Sequence, residues 1–122
     1  MPAQLLDGRQ IAKRMRERLR EVRDAFGDSA VRLVSLEVGQ NPAAAVYVRN
    51  QQRAAAEVGI DMEIVNLPVT TSEDELLATI AELNSREDVS GMLVQRPMPP
   101  GIDPRTVQMA IDPKKDVEGM HP

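Results

Sequence analysis

Apolar residues between Arg9 and Phe26 recur at Ile11, Met15, Leu19, Val22 and Phe26, at spacings of 4, 4, 3 and 4. That is the repeat of one helical face, so the segment predicts an amphipathic helix. Asp7 is placed to cap it and Gly8 frees the turn. Before it, Ala3 to Leu6 is a short apolar stretch, a candidate strand. Val31 to Val38 (VRLVSLEV) is rich in β-branched and apolar residues and predicts a strand that Gly39 breaks. Asn41 followed by Pro42 pairs an N-cap with a first-turn proline, so a helix begins there. It runs to the natural stop at Gly59, and Ala54, Ala55 and Ala56 let it approach a sheet closely.

Ile60 to Leu67 (IDMEIVNL) predicts a second strand, ended by Pro68. Ser72-Glu73-Asp74-Glu75 reads as a capping box. It opens a helix to about Ser85 with Leu76, Leu77, Ile80 and Leu83 facing inward. Gly91 to Gln95 (GMLVQ) is the short apolar run of a strand buried on both faces. Arg96-Pro97-Met98-Pro99-Pro100 cannot continue a sheet, because prolines lack the donor. Asp103 and Pro104 start a short helix to about Ile111, and Asp112 to Pro122 has no period.

Strands alternating with helices of these lengths imply right-handed parallel crossovers. The expected architecture is α/β: a three-layer domain with a short, mostly parallel sheet flanked by helices. In such sheets ligands bind beyond the carboxyl ends of the strands. Three segments lie there: Gly39 to Tyr47, Gln95 to Pro100, and the Asp112 to Pro122 tail.

Composition narrows the chemistry. The 122 residues suit a single domain spanning 1–122. The core must be aliphatic, since Phe26 and Tyr47 are the only aromatic residues. There is no Cys, which removes thiol nucleophiles and thiolate metal sites and suits a cytoplasmic protein. No apolar run approaches the roughly 20 residues of a membrane span, and Met1 to Gly8 does not resemble a signal peptide. The net charge of −4 argues against a nucleic-acid partner. The first helix is locally basic, with Arg9, Lys13, Arg14, Arg16, Arg18, Arg20 and Arg23. A solvated outer face explains that pattern better than a phosphate patch does.

Tyr47 and Gln51 stand four residues apart, on one helical face. Taken alone, Tyr47 reads as a partly buried core residue. Gln95, a polar residue ending a buried strand, needs a partner. His121 reads as an incidental part of the tail. No metal-ligand spacing stands out, and Gly39-Gln40-Asn41-Pro42 is too short a signal for an anion loop.

Four ordered segments change this picture: LLDGRQIA, VGQNPAAAVYVRNQQRAAAEVGI, GMLVQRPMPPGID and KKDVEGMHP. Together they resemble the methylenetetrahydrofolate dehydrogenase/cyclohydrolase family of the bifunctional FolD type, across essentially the whole chain. The resemblance implies the family's folate-binding catalytic domain. The family's NAD(P)-binding Rossmann domain is expected to be absent from these residues, which contain no G-x-G-x-x-G segment. NADP or NAD is then a cofactor of the full-length enzyme, and no cofactor is expected on this chain alone. The family forms homodimers mostly through the second domain, so a monomer is expected here.

The resemblance also assigns roles. Tyr47 matches the tyrosine that stacks on the folate, and Gln95 the glutamine that contacts the catalytic lysine and the folate. Pro97 and Pro99 match prolines of the pocket wall. Glu118 falls where the family has an aspartate that hydrogen-bonds the pterin. Gln51 falls where the family has its catalytic lysine, and Ala44 where a serine is often found. A glutamine amide donates and accepts hydrogen bonds but cannot shuttle a proton near neutral pH. The expectation is therefore a folate dehydrogenase whose cyclohydrolase step is impaired. The alternative is a non-catalytic relative that binds folate or pterin, or scaffolds a partner.

Overall fold

The computed structural model describes residues 7–27 and 29–121. Its elements are α1 (Gly8–Ala25), β1 (Arg32–Val38), α2 (Pro42–Glu57), β2 (Asp61–Leu67), α3 (Glu73–Ser85), β3 (Gly91–Val94) and α4 (Pro104–Ala110). The expected strand from Ala3 to Leu6 lies outside the described residues. Asp7, Asn41, Ser72 and Asp103 each accept a hydrogen bond from a first-turn N–H, as their positions before apolar periods predict.

The three strands form one parallel sheet in the order β2-β1-β3. β1 is central and pairs with both neighbours. Its side chains alternate between faces. Val34, Leu36 and Val38 join Met92 and Val94 of β3, Leu76, Ile80 and Leu83 of α3, and Val107 of α4 in one buried core. The opposite face of the sheet is covered by α2, which packs on β2 with Val48, Val58 and Met62 buried. Gln52 Nε2 donates to the Met62 carbonyl at 3.1 Å and pins this contact. The result is three layers, as the order of elements implied.

The amino end of the sheet is held by charges. Arg32 reaches Asp61 at 3.1 Å and Asp88 at 2.8 Å. Arg86 reaches Asp88 at 2.7 Å and Glu63 at 3.2 Å. The bond from Arg86 lowers the Asp88 carboxyl to a pKa of about 2. In return, the hydrogen bond to Asp88, followed by that to Glu63, raises Arg86 above its ordinary value.

α1 departs from the expected packing. Its apolar stripe does not enter the core, because Ile11, Met15, Leu19, Val22 and Phe26 remain between 48% and 64% exposed. The helix docks through its basic side instead. Arg20 Nη1 donates to the Glu57 carbonyl at 2.9 Å, Arg23 Nε to the Gly59 carbonyl at 2.8 Å, and Arg16 pairs with Glu57 at 3.3 Å. Cations thus gather at and just beyond the carboxyl end of α2, where the helix dipole favours them.

Candidate functional site

Three segments converge at the carboxyl end of the sheet. β1 ends at Gly39, whose φ of +80° is open to glycine but strained for other residues. The Gly39 N–H donates to the Leu67 carbonyl at 2.8 Å, and Asn66 Nδ2 donates to the Gly39 carbonyl at 3.1 Å. β3 ends at Val94, and the N–H of the next residue, Gln95, donates to the Leu36 carbonyl at 2.8 Å. The Arg96–Pro97 peptide bond is cis.

The tail is the third segment, and its anchoring was not legible from its own sequence. Lys115 Nζ donates to the carbonyls of Asn84 at 2.8 Å and Arg86 at 2.7 Å, at the end of α3. Asn84 accepts from the Asp112 N–H at 3.0 Å and donates to the Ala110 carbonyl at 2.8 Å. Asp116 then forms a parallel bridge with Met92. Its carboxylate accepts from the Glu118 N–H at 3.2 Å and the His121 N–H at 2.6 Å. These contacts deliver Glu118 and Met120 to the site.

Tyr47, Gln51, Gln95 and Glu118 border one cavity of about 300 Å³, together with Leu93, Val94, Arg96 and Met120. Pro97 and Pro99 do not border it. They line an adjacent cavity of about 230 Å³ with Gly39, Asn41 and Ala44, and Gln95 and Arg96 lie between the two. Tyr47 is 59% exposed, so it is not the core residue that its aromatic character suggests in isolation. Its ring forms an open wall, available to a flat ligand.

The floor of the first cavity is a hydrogen-bonded chain. Gln95 Nε2 donates to Ser35 Oγ at 2.9 Å and to Gln51 Oε1 at 3.1 Å. Ser35 is fully buried in the middle of β1. The site therefore offers a phenol, two linked amides, a carboxylate and the Arg96 guanidinium. A neutral amide pair of this kind can orient a ligand or a water molecule but cannot take up a proton. Ser35, Arg96 and Met120 are site residues that motif reading missed. Ser35 was detectable in principle, because in VRLVSLEV it falls on the face opposite Val34, Leu36 and Val38.

The α2 N-terminus comes nearest to a phosphate cradle, yet its Ala43 N–H is taken by the Asn41 side chain at 3.1 Å and Pro42 has no N–H. Among the described residues, no group of three or more His, Cys, Asp or Glu is placed to hold a metal ion. No helix among them is long and apolar enough to cross a membrane.

Comparison with known proteins places this geometry in context. Residues 6–118 match the family described as tetrahydrofolate dehydrogenase/cyclohydrolase, catalytic domain. The bifunctional protein FolD of Acidiphilium cryptum is 47% identical over 122 residues, which is 100% of this chain and 43% of that protein. The chain thus spans less than half the length of that relative. The silkworm (Bombyx mori) 5,10-methylenetetrahydrofolate dehydrogenase superposes with a TM-score of 0.94 at 37% identity, covering 98% of this chain and 42% of that one. The Trypanosoma brucei N5,N10-methylenetetrahydrofolate dehydrogenase-cyclohydrolase, solved with NADP and an inhibitor, superposes with a TM-score of 0.84 at 30% identity. It covers 95% of this chain and 41% of that one.

Proposed function

The chain belongs to the tetrahydrofolate dehydrogenase/cyclohydrolase family, and from that premise we propose that it is the folate-binding domain of a 5,10-methylenetetrahydrofolate dehydrogenase. The observation that supports this reading is the convergence of Tyr47, Gln51, Gln95 and Glu118 on one cavity at the carboxyl end of the sheet. The substrate is a tetrahydrofolate of one-carbon metabolism, and the protein acts in the cytoplasm as part of a homodimeric enzyme. Neither nucleic acid nor a membrane is a partner in this reading.

Each residue has a physical task. The exposed Tyr47 ring stacks on the pterin. The Glu118 carboxylate accepts hydrogen bonds from the ring's N–H groups. Gln95 holds the folate near the centre that reacts, and Pro97 and Pro99 shape the neighbouring wall. When bound in the full-length enzyme, NADP or NAD accepts the hydride that converts the methylene form to the methenyl form. That dinucleotide is expected on the part of the relatives that this chain does not match. Orientation by these side chains is enough for a hydride to pass, since the step asks no proton transfer of residue 51.

Hydrolysis of the methenyl form is different. A water must lose a proton as it attacks, and a lysine of lowered pKa can assist while an amide cannot. With Gln51 in that place, cyclohydrolase activity is severely reduced. The same residue favours a second reading, a non-catalytic relative that binds folate or pterin or serves as a scaffold.

Two measurements decide. Calorimetric titration of this chain with 5-formyltetrahydrofolate shows saturable binding under either folate reading and none for a pure scaffold. NADP- or NAD-dependent oxidation of methylenetetrahydrofolate by the full-length protein then separates enzyme from binder. Methenyl hydrolysis at a rate typical of the family would refute the impairment.

A further inference from the structure

The buried hydroxyl beneath Gln95 has no role in the chemistry described so far. Ser35 is the buried side chain of β1 that carries a hydroxyl, and it lies on the α2 side of the sheet. Polar groups in such positions are retained at a cost in stability unless they are bonded. Its partner is the side-chain amide of Gln95, at 2.9 Å. The same nitrogen donates to Gln51 Oε1 at 3.1 Å. A primary amide has two N–H donors, so both hydrogens of Gln95 are engaged within the protein.

From this geometry we infer that Ser35 is a positioning residue: it orients Gln95, and through it Gln51, so that the pair presents one carbonyl and one NH₂ group to the folate cavity. With its nitrogen occupied, Gln95 turns Oε1 to the ligand as an acceptor. With its oxygen occupied, Gln51 keeps Nε2 free as a donor. The class of ligand group selected is a neutral one that offers a donor beside an acceptor, or a single water doing both. A lone cation at residue 51 would instead select for an acceptor only. Without Ser35 the Gln95 amide loses one of the two contacts that hold it, and the side chain is free to turn away from this arrangement.

The inference rests on the folate reading for its ligand but not for its hydrogen bonds, so two kinds of experiment separate them. The first is NMR of the side-chain amides in the free protein, with Gln95 and Gln51 assigned from Gln95→Ala and Gln51→Ala. Two protected Gln95 Nε2 protons are expected in the wild type. In Ser35→Ala one of them exchanges at least about tenfold faster, and Ser35→Thr, which keeps the hydroxyl, restores protection. Gln95 protons that exchange identically in wild type and Ser35→Ala would overturn the inference.

The second is binding of 5-formyltetrahydrofolate by the same set of variants, with the thermal midpoint as the control for folding. Ser35→Ala is expected to weaken binding about fivefold to tenfold. Gln51→Ala is expected to cost less in the Ser35→Ala background than in the wild type, because the two act as one unit. Additive losses, or a lowered midpoint with unchanged affinity, would reduce Ser35 to a structural residue and overturn the positioning role. Failure of the wild type to bind the probe, with the amide protection intact, would overturn the folate reading and the ligand class while leaving the orienting contact in place.

Discussion

At residue 51 one side chain separates binding from proton transfer. Gln51 is half-buried and linked to Gln95 at 3.1 Å, so it is held in place as a hydrogen-bonding group. Gln51→Lys in the full-length protein is expected to raise methenyltetrahydrofolate hydrolysis on the order of 10²-fold, with little change in methylenetetrahydrofolate oxidation. A stopped-flow assay of both half-reactions checks this, and hydrolysis left unchanged would remove the explanation by proton transfer. Tyr47 gives the complementary case. Being largely exposed, it contributes little to the core. Tyr47→Ala is expected to weaken 5-formyltetrahydrofolate binding about tenfold while the thermal midpoint stays near that of wild type, and Tyr47→Phe should bind nearly as the wild type does. Titration and melting curves of the two variants measure both effects. That Tyr47 and Gln51 share one face was legible in the sequence, since they lie one helical turn apart and the surrounding motifs are local. The partners of Ser35 and Arg96 were not, because they depend on which elements become neighbours, even though the alternation of VRLVSLEV sets Ser35 apart from the core face.

The tail illustrates the element scale. Asp112 to Pro122 shows no hydrophobic period, so nothing local says where it goes. It is placed by polar contacts with α3 and β3, and these are long-range. Lys115→Met removes the donor to the last carbonyls of α3 and is expected to cost about 1–3 kcal/mol. It should also weaken folate binding, since Glu118 loses its anchor. Urea unfolding and the same titration test the two effects, and undiminished binding would argue against Glu118 as a ligand group. Gly91 marks the other side of this contact, where an added Cβ would overlap the Val117 side chain. Gly91→Ala is therefore expected to displace the tail and destabilise the domain by about 1–3 kcal/mol, measurable in the same unfolding experiment. α1 makes the opposite point. Its period was read correctly and its helix formed, yet the stripe that defined it stays in solvent. Periodicity reports that a face is apolar, not what covers it.

Across the whole molecule the two ends of the sheet are specialised. The carboxyl end gathers Tyr47, Gln51, Gln95 and Glu118 around one cavity, while the amino end is tied by Arg32, Arg86, Asp61, Asp88 and Glu63. Asp88 titrates at about 2 in the folded protein against an ordinary value of 3.8. Its carboxylate therefore adds stability at pH values above about 4, and that contribution disappears as the pH falls through 4 towards 2. Asp88→Asn is expected to be less stable than wild type at neutral pH, with the difference vanishing near pH 2. Urea midpoints measured across that range test it, and a difference independent of pH would exclude the carboxylate as its cause. Because the groups are exposed, salt should also reduce the effect. By itself the sequence determined the elements and the parallel α/β order, because caps, glycines, prolines and apolar periods act over a few residues. It also located the motifs of the family, which are contiguous. Only the tertiary structure decided that Glu118 joins Tyr47, Gln51 and Gln95 while Pro97 and Pro99 face the next cavity, that α1 docks by its arginines, and that Ser35 underlies the amide pair. Those outcomes depend on contacts between residues far apart in the chain, which short-range rules cannot specify.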